Sequence, residues 1–173
     1  MHITPERGAV EEPSFTASSP GSLQRAMPLR AGRVALVGCV KKKLGHAAPA
    51  SELYISPLFQ RQKEWAIARC GRWLILSAKY GVVRPDSVID PYEMTLKRAS
   101  AVEKRIWSAQ VLRQLQDELG RVEGLHFEIY AGKDYFGYGL IEGLRGAGAT
   151  VQLPWQGLGL GKRLALTQYA SDG

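Results

Sequence analysis

Three lysines stand where an anion would need them. Lys41, Lys79 and Lys133 each follow an apolar run by no more than three residues, in "GCVKKK", "SAKYG" and "AGKDYF", and Lys42 extends the first of these clusters. A fourth run, "TVQLP", leads into "WQGLGLGK", a glycine-rich turn before a helix, where free backbone N–H groups and the helix dipole suit an anion. Tyr54, Tyr80, Tyr92, Tyr135 and Trp155 fall in loops or at helix starts beside the same run ends, where a flat base can stack. Asp90, Glu93 and Asp134 lie near them as well. A carboxylate desolvated among lysines can act as general base or stabilise positive charge on a sugar, so Asp90 and Glu93 are catalytic candidates. Lys79 is a third. Cys39 is a candidate nucleophile, because the lysines that follow it favour the thiolate. Basic groups with aromatics point to phosphate plus base, hence to a nucleotide or nucleic acid.

These residues need a scaffold that gathers them, and the hydrophobic pattern supplies one. "RVALVG", "WLILSA", "LHFEIYAG" and "TVQLP" read as buried strands, and helical patterns separate them. "SPLFQRQKEWAIARCG" opens with Ser56 as N-cap and Pro57 at the first helical position. "SAVEKRIWSAQVLRQLQDELG" opens with the capping box Ser100-x-x-Glu103, carries Val102, Ile106, Ala109, Leu112, Leu115 and Leu119 on one stripe, and stops at Gly120. "DYFGYGLIEGLRGAG" is a weak helix and "GLGKRLALTQYA" a closing one. Alternating strands and helices predict an α/β fold, a three-layer α/β/α sandwich with a mainly parallel sheet of about four strands. Parallel strands place all their carboxyl ends on one edge, where ligands bind in open sheets. Lys41, Lys79, Tyr80, Asp90, Tyr92, Lys133 and Tyr135 are therefore expected to converge in one cleft.

Residues 1 to 31 lack any period and are rich in Pro, Ser, Gly and Thr, which predicts a disordered tail before a single α/β domain over 32 to 173. Of 23 basic and 16 acidic residues, residues 1 to 32 hold three of each, so an excess of 20 over 13 lies in the remainder. A basic folded part favours an anionic partner. The apolar runs fall far short of the roughly 20 residues that span a bilayer, and the N-terminus has no signal-peptide block, so no membrane association and a cytoplasmic location are expected. Two cysteines without a CxxC and three scattered histidines predict free thiols, no metal site and no cofactor.

The stretch "WLILSAKYGVVRPDSVIDPYEM" resembles the peroxide-stress protein YaaA family, in which a strand ending Leu-Ser is followed by a Tyr-Gly turn, an Arg-Pro-x-Asp element and a Pro-Tyr motif. "LYISPLF" and "AGKDYF" are similar to two further segments of that family, and short bacterial and phage domains share "GCVKKK" and "LPWQGLGLGKRL". A more distant likeness is to uracil-DNA-glycosylase-like domains. The resemblance implies a compact α/β fold, DNA binding linked to oxidative stress, and functional roles for Ser77, Tyr80, Gly81, Arg84, Pro85, Asp90, Pro91, Tyr92 and Tyr135. Residues and resemblance together predict an enzyme directed at a nucleotide or nucleic acid, DNA or RNA, acting on a base or an N-glycosidic bond. A non-catalytic DNA-binding stress protein and a module that binds an acidic protein partner are the alternatives.

Overall fold

The computed structural model describes residues 30–165, so the expected tail lies outside the described residues apart from residues 30 and 31, as does the end of the closing helix. The chain runs β1 (Arg33–Gly38), β2 (Ala48–Pro49), α1 (Ala50–Leu53), α2 (Pro57–Arg69), β3 (Arg72–Ser77), β4 (Gly81–Val83), β5 (Val88–Ile89), a 3-10 turn (Leu96–Arg98), α3 (Ala101–Leu119), β6 (His126–Tyr130), α4 (Lys133–Phe136), α5 (Leu140–Gly146), β7 (Thr150–Gln152) and α6 (Leu160–Ala165). The main sheet has the order β4-β3-β1-β6-β7, and its last four strands are mutually parallel. The fifth strand, β4, was not expected: the chain turns back at Gly81 and pairs antiparallel with β3, Ile75 opposite Val83. A second, two-stranded antiparallel sheet joins β2 to β5, with Ala48 opposite Ile89.

β1 lies at the centre, and Val34 to Val37 are all buried, as an unbroken apolar run covered on both faces requires. Successive crossovers of the usual right hand run from β1 outward to β3 and then back across β1 to β6, so they cover opposite faces. On one face α2 packs against β1 and β3 and touches α6; on the other, α3 packs against α5 and β4. Phe59 of α2, Leu36, Ile75 and Ile129 of the strands, and Val111 and Leu115 of α3 are fully or almost fully buried in the core.

Local signals act as spelled. Ser56 Oγ accepts from Phe59 N at 3.1 Å to start α2. Ser100 Oγ accepts from Glu103 N at 3.2 Å while the Glu103 carboxylate accepts from Ser100 N at 2.7 Å, closing the capping box of α3. The face that α3 buries differs from the expected stripe. Lys104, Trp107, Ser108, Val111 and Leu115 point inward, whereas Val102 and Ile106 are 62% and 63% exposed. Two polar anchors set this rotation: Trp107 Nε1 donates to Ser77 O at 3.0 Å, and Lys104 Nζ reaches Asp134 at 2.8 Å. The weak helix expected around residues 134 to 148 is two short helices, because Gly139 at φ 108° interrupts it. Among the described residues no helix is long and apolar enough to cross a membrane.

Candidate functional site

The first crossover leaves β1 in one direction and the second returns to its other side, so the carboxyl ends of β1 and β6 flank the point where the strand order reverses. A cavity of about 630 Å³ opens there, within the range of small-molecule sites. Gly38 lets the two strand ends close up beneath it: a Cβ at that position would meet Ala131 Cβ at 2.8 Å. The chain then continues into the cavity wall, with Cys39 N donating to Leu76 O at 2.9 Å.

The floor is a chain of hydroxyls and a thiol. Cys39 Sγ lies 3.0 Å from Tyr135 Oη and accepts from Ala78 N at 3.4 Å. Behind it, Tyr80 N donates to Ser77 Oγ at 3.1 Å, Ser77 Oγ donates to Tyr92 Oη at 2.7 Å, and Tyr92 Oη meets Tyr54 Oη at 2.8 Å. Tyr135 is held edge-on against Trp107, ring centroids 5.4 Å apart, and Tyr92 edge-on against Tyr80 at 5.5 Å. Burial pushes the Tyr54 phenol up to about 12 and also raises Tyr92 and Tyr135, so all three are neutral at pH 7 and act as donors and acceptors rather than bases. The Lys43 ammonium stands over the Tyr92 ring at 4.3 Å. Burial lowers its pKa, against the pull of Cys39 and Glu93.

The small second sheet explains how one loop serves the site. Ala50 N donates to Ser87 O at 2.8 Å and Ser51 N to Pro85 O at 2.9 Å, which with β2 and β5 pin residues 85 to 89 in place. The chain emerges with Tyr92 inward and Glu93, Met94, Thr95, Lys97 and Arg98 along the rim. Lys41 and Lys43 face them from the β1 loop, and Arg163 closes the wall from α6. Five cationic side chains therefore meet two carboxylates, and one of these, Asp134, is held by Lys104.

Of the residues singled out in the sequence, Cys39, Lys41, Glu93, Asp134 and Tyr135 line the cavity. Ser77, Tyr54 and Tyr92 form the hydrogen-bonded support beneath, and Tyr54 and Ser77 are fully buried, so neither contacts a ligand from the cavity wall. The expected lysine cluster does not form. Lys79 is exposed and sits 5.0 Å over the Tyr80 ring, and Lys42 and Lys133 are exposed and do not line the cavity. Asp90 is exposed at the end of β5, outside the lining. Arg84 pairs with Glu118 of α3 at 2.8 Å, on the outer edge beside β4. Gly81 forms the turn into β4, and Pro85 and Pro91 are half-buried parts of the pinned loop. Lys43 could have been found in "GCVKKK", where the alternation of an extended chain sends Lys42 and Lys43 opposite ways. Gln62, Lys97, Arg98, Lys104 and Arg163 carried no signal, since each reads as the polar face of a helix or turn. Among the described residues no group of three His, Cys, Asp or Glu is placed to hold a metal, and Cys39 and Cys70 are free.

Thirty per cent of 110 aligned residues are identical to the uncharacterised protein YfjM of Bacillus subtilis (strain 168), over 60% of this chain and 71% of that protein. No solved structure matches the chain. The family of unknown function DUF6884 matches residues 34–169, a stretch that takes in every strand of the sheet but for Arg33 at the start of β1, and all the cavity-lining residues. The chain belongs to the DUF6884 family.

Proposed function

We propose that the cavity takes a nucleotide, free or within a nucleic acid, and that the protein is an enzyme acting on its base or its N-glycosidic bond. One observation carries this reading: basic residues from three separate segments, Lys41 and Lys43, Lys97 and Arg98, and Arg163, meet around the Cys39–Tyr135 floor at the strand-order reversal. The rim holds phosphate, and the half-apolar interior formed with Val40, Leu58 and Met94 holds the flat ring. Glu93 is the lining carboxylate that Lys104 does not hold, which makes it the proton-handling group in place of Asp90. In hydrolysis, water attacks the anomeric carbon and gives a proton to Glu93. The carbon–nitrogen bond breaks with its electron pair going to the base, which takes up a proton from solvent or from Glu93. The resemblance of residues 73 to 94 to YaaA proteins supports the same substrate class.

A non-catalytic nucleic-acid-binding protein is the second reading, favoured by the exposure of Lys41, Lys97 and Arg98 at the rim, where a polymer backbone can pass. Titration of the full chain with nucleoside phosphates and short DNA and RNA strands tests both. Binding is expected to weaken steeply as salt rises, through counterion release. Lys41→Ala with Arg98→Ala should weaken it by about tenfold or more while leaving the melting temperature within a few degrees. Release of free base would establish the enzyme, and binding without turnover the second reading. Failure to bind any of these ligands at low salt would eliminate both.

A further inference from the structure

Gln62 lines the cavity from α2, one turn after Leu58, and is only 4% exposed, yet its Oε1 has no hydrogen-bond partner among the described residues. Buried polar atoms are nearly always satisfied, and an orphan destabilises the fold. Nothing about α2 requires a glutamine at this point. The other α2 residue in the wall, Leu58, is apolar, and a leucine or methionine at position 62 would fill the same space without the penalty.

A carboxamide presents an acceptor and a donor side by side on one planar edge. The matching partner is a planar edge with an N–H next to a carbonyl or ring nitrogen, which is what nucleobases offer and what sugars and phosphates lack. We infer that Gln62 reads the hydrogen-bonding edge of a nucleobase bound in this cavity: its amide, whose Oε1 is buried behind the wall, turns toward the base so that one end accepts a base N–H and the other donates to the neighbouring acceptor. The inference rests on the nucleotide reading above and adds to it a division of labour. Lysines and arginines at the rim take the phosphate, and a neutral amide in the interior selects the base. Rotation of the amide by half a turn exchanges donor and acceptor, so the order of groups on the base is set by the rest of the wall.

The test compares the full-length wild type with Gln62→Leu, with Gln62→Met as the second variant should the first fail to fold. The probes are the four nucleoside 5′-monophosphates, the tightest of them carrying an N-methyl group in place of its edge N–H, and ribose 5-phosphate. The wild type is expected to prefer the parent nucleotide to its N-methyl form by about tenfold or more. Gln62→Leu should bind the parent about tenfold more weakly, lose that preference, bind ribose 5-phosphate as the wild type does, and melt at the same temperature or higher. Nucleotide binding and preference that are unchanged in Gln62→Leu would overturn this inference alone, as would an equal loss for ribose 5-phosphate. Failure of the wild type to bind any nucleotide would overturn the nucleotide reading and this inference together.

Discussion

Tyr54, Ser77 and Tyr92 show how three hydroxyls far apart in sequence become one unit. Each oxygen in the chain has a partner, and the chain starts from the Tyr80 backbone N–H, so the turn after β3 is fixed to the loop that carries Glu93. Such a buried network is sensitive to removal of any single member, because the rest are left unpaired. The phenols also make the protein sensitive to alkali. Tyr54 is held up to about 12 in the folded state, against about 10 when exposed, which means the fold favours the protonated form. Its contribution to stability is complete below pH 10 and is lost as pH climbs through 10 toward 12, and Tyr92, Tyr130 and Tyr135 are shifted the same way. Melting temperature should therefore be level through neutral pH and fall above about 10, in step with tyrosinate absorbance. A native state that ionises these tyrosines at their ordinary pH without loss of stability would show that the network is solvated.

Among the elements, β4 depends on one glycine and one glutamine. Gly81 has φ 75°, and a Cβ there would stand 2.0 Å from Gln114 Oε1. The same Gln114 accepts from Val82 N at 2.8 Å and donates to Tyr80 O at 3.0 Å, clamping the hairpin to α3. Gly81→Ala is expected to destabilise by about 1–3 kcal/mol, part from the left-handed backbone and part from displacing the clamp. The two parts can be told apart by a double-mutant cycle. In a Gln114→Ala background, where the clash is gone and the clamp already lost, the added effect of Gly81→Ala should shrink measurably in denaturant midpoint. Full additivity would mean that Gln114 does not hold the turn.

The whole molecule is tied across its parallel core by Glu128. This carboxylate is completely buried in β6, accepts from Arg33 of β1 at 2.7 Å and from Arg69 at the end of α2 at 2.9 Å and 3.1 Å, and takes the Tyr130 hydroxyl as well. Burial opposes its charge, but the two guanidiniums and the phenol outweigh this and hold its carboxyl below the usual range. Removing the carboxylate leaves two arginines and a phenol around an uncompensated gap. Glu128→Ala should cost about 3 kcal/mol, the low end for a broken buried pair because both arginines are partly solvated. Chemical denaturation followed by the fluorescence of Trp155, which lies edge-on to Tyr130, and of Trp65, which lies edge-on to Trp155, reads this directly. A loss under about 0.5 kcal/mol, typical of surface changes, would show that the cluster is a bystander.

The four parallel strands, the start of α2, both ends of α3 and the basic character of the folded part were all legible in the chain, because apolar periodicity and caps act within a few residues. Cys39, Lys41, Glu93 and Tyr135 were legible for a related reason: each follows or precedes an element whose direction is set locally, and parallel strands put their carboxyl ends together. The rest was decided in three dimensions. The rotation of α3 follows from bonds to Ser77 and Asp134 that lie thirty residues away along the chain. The removal of Lys79 and Asp90 from the cavity follows from the β4 hairpin and the small β2–β5 sheet, which aim the loops after β3. Gln62 is the clearest case: in the sequence it is an ordinary polar residue of a capped helix, and only the packing of α2 on β1 buries it in a cavity wall with its Oε1 unpaired among the described residues.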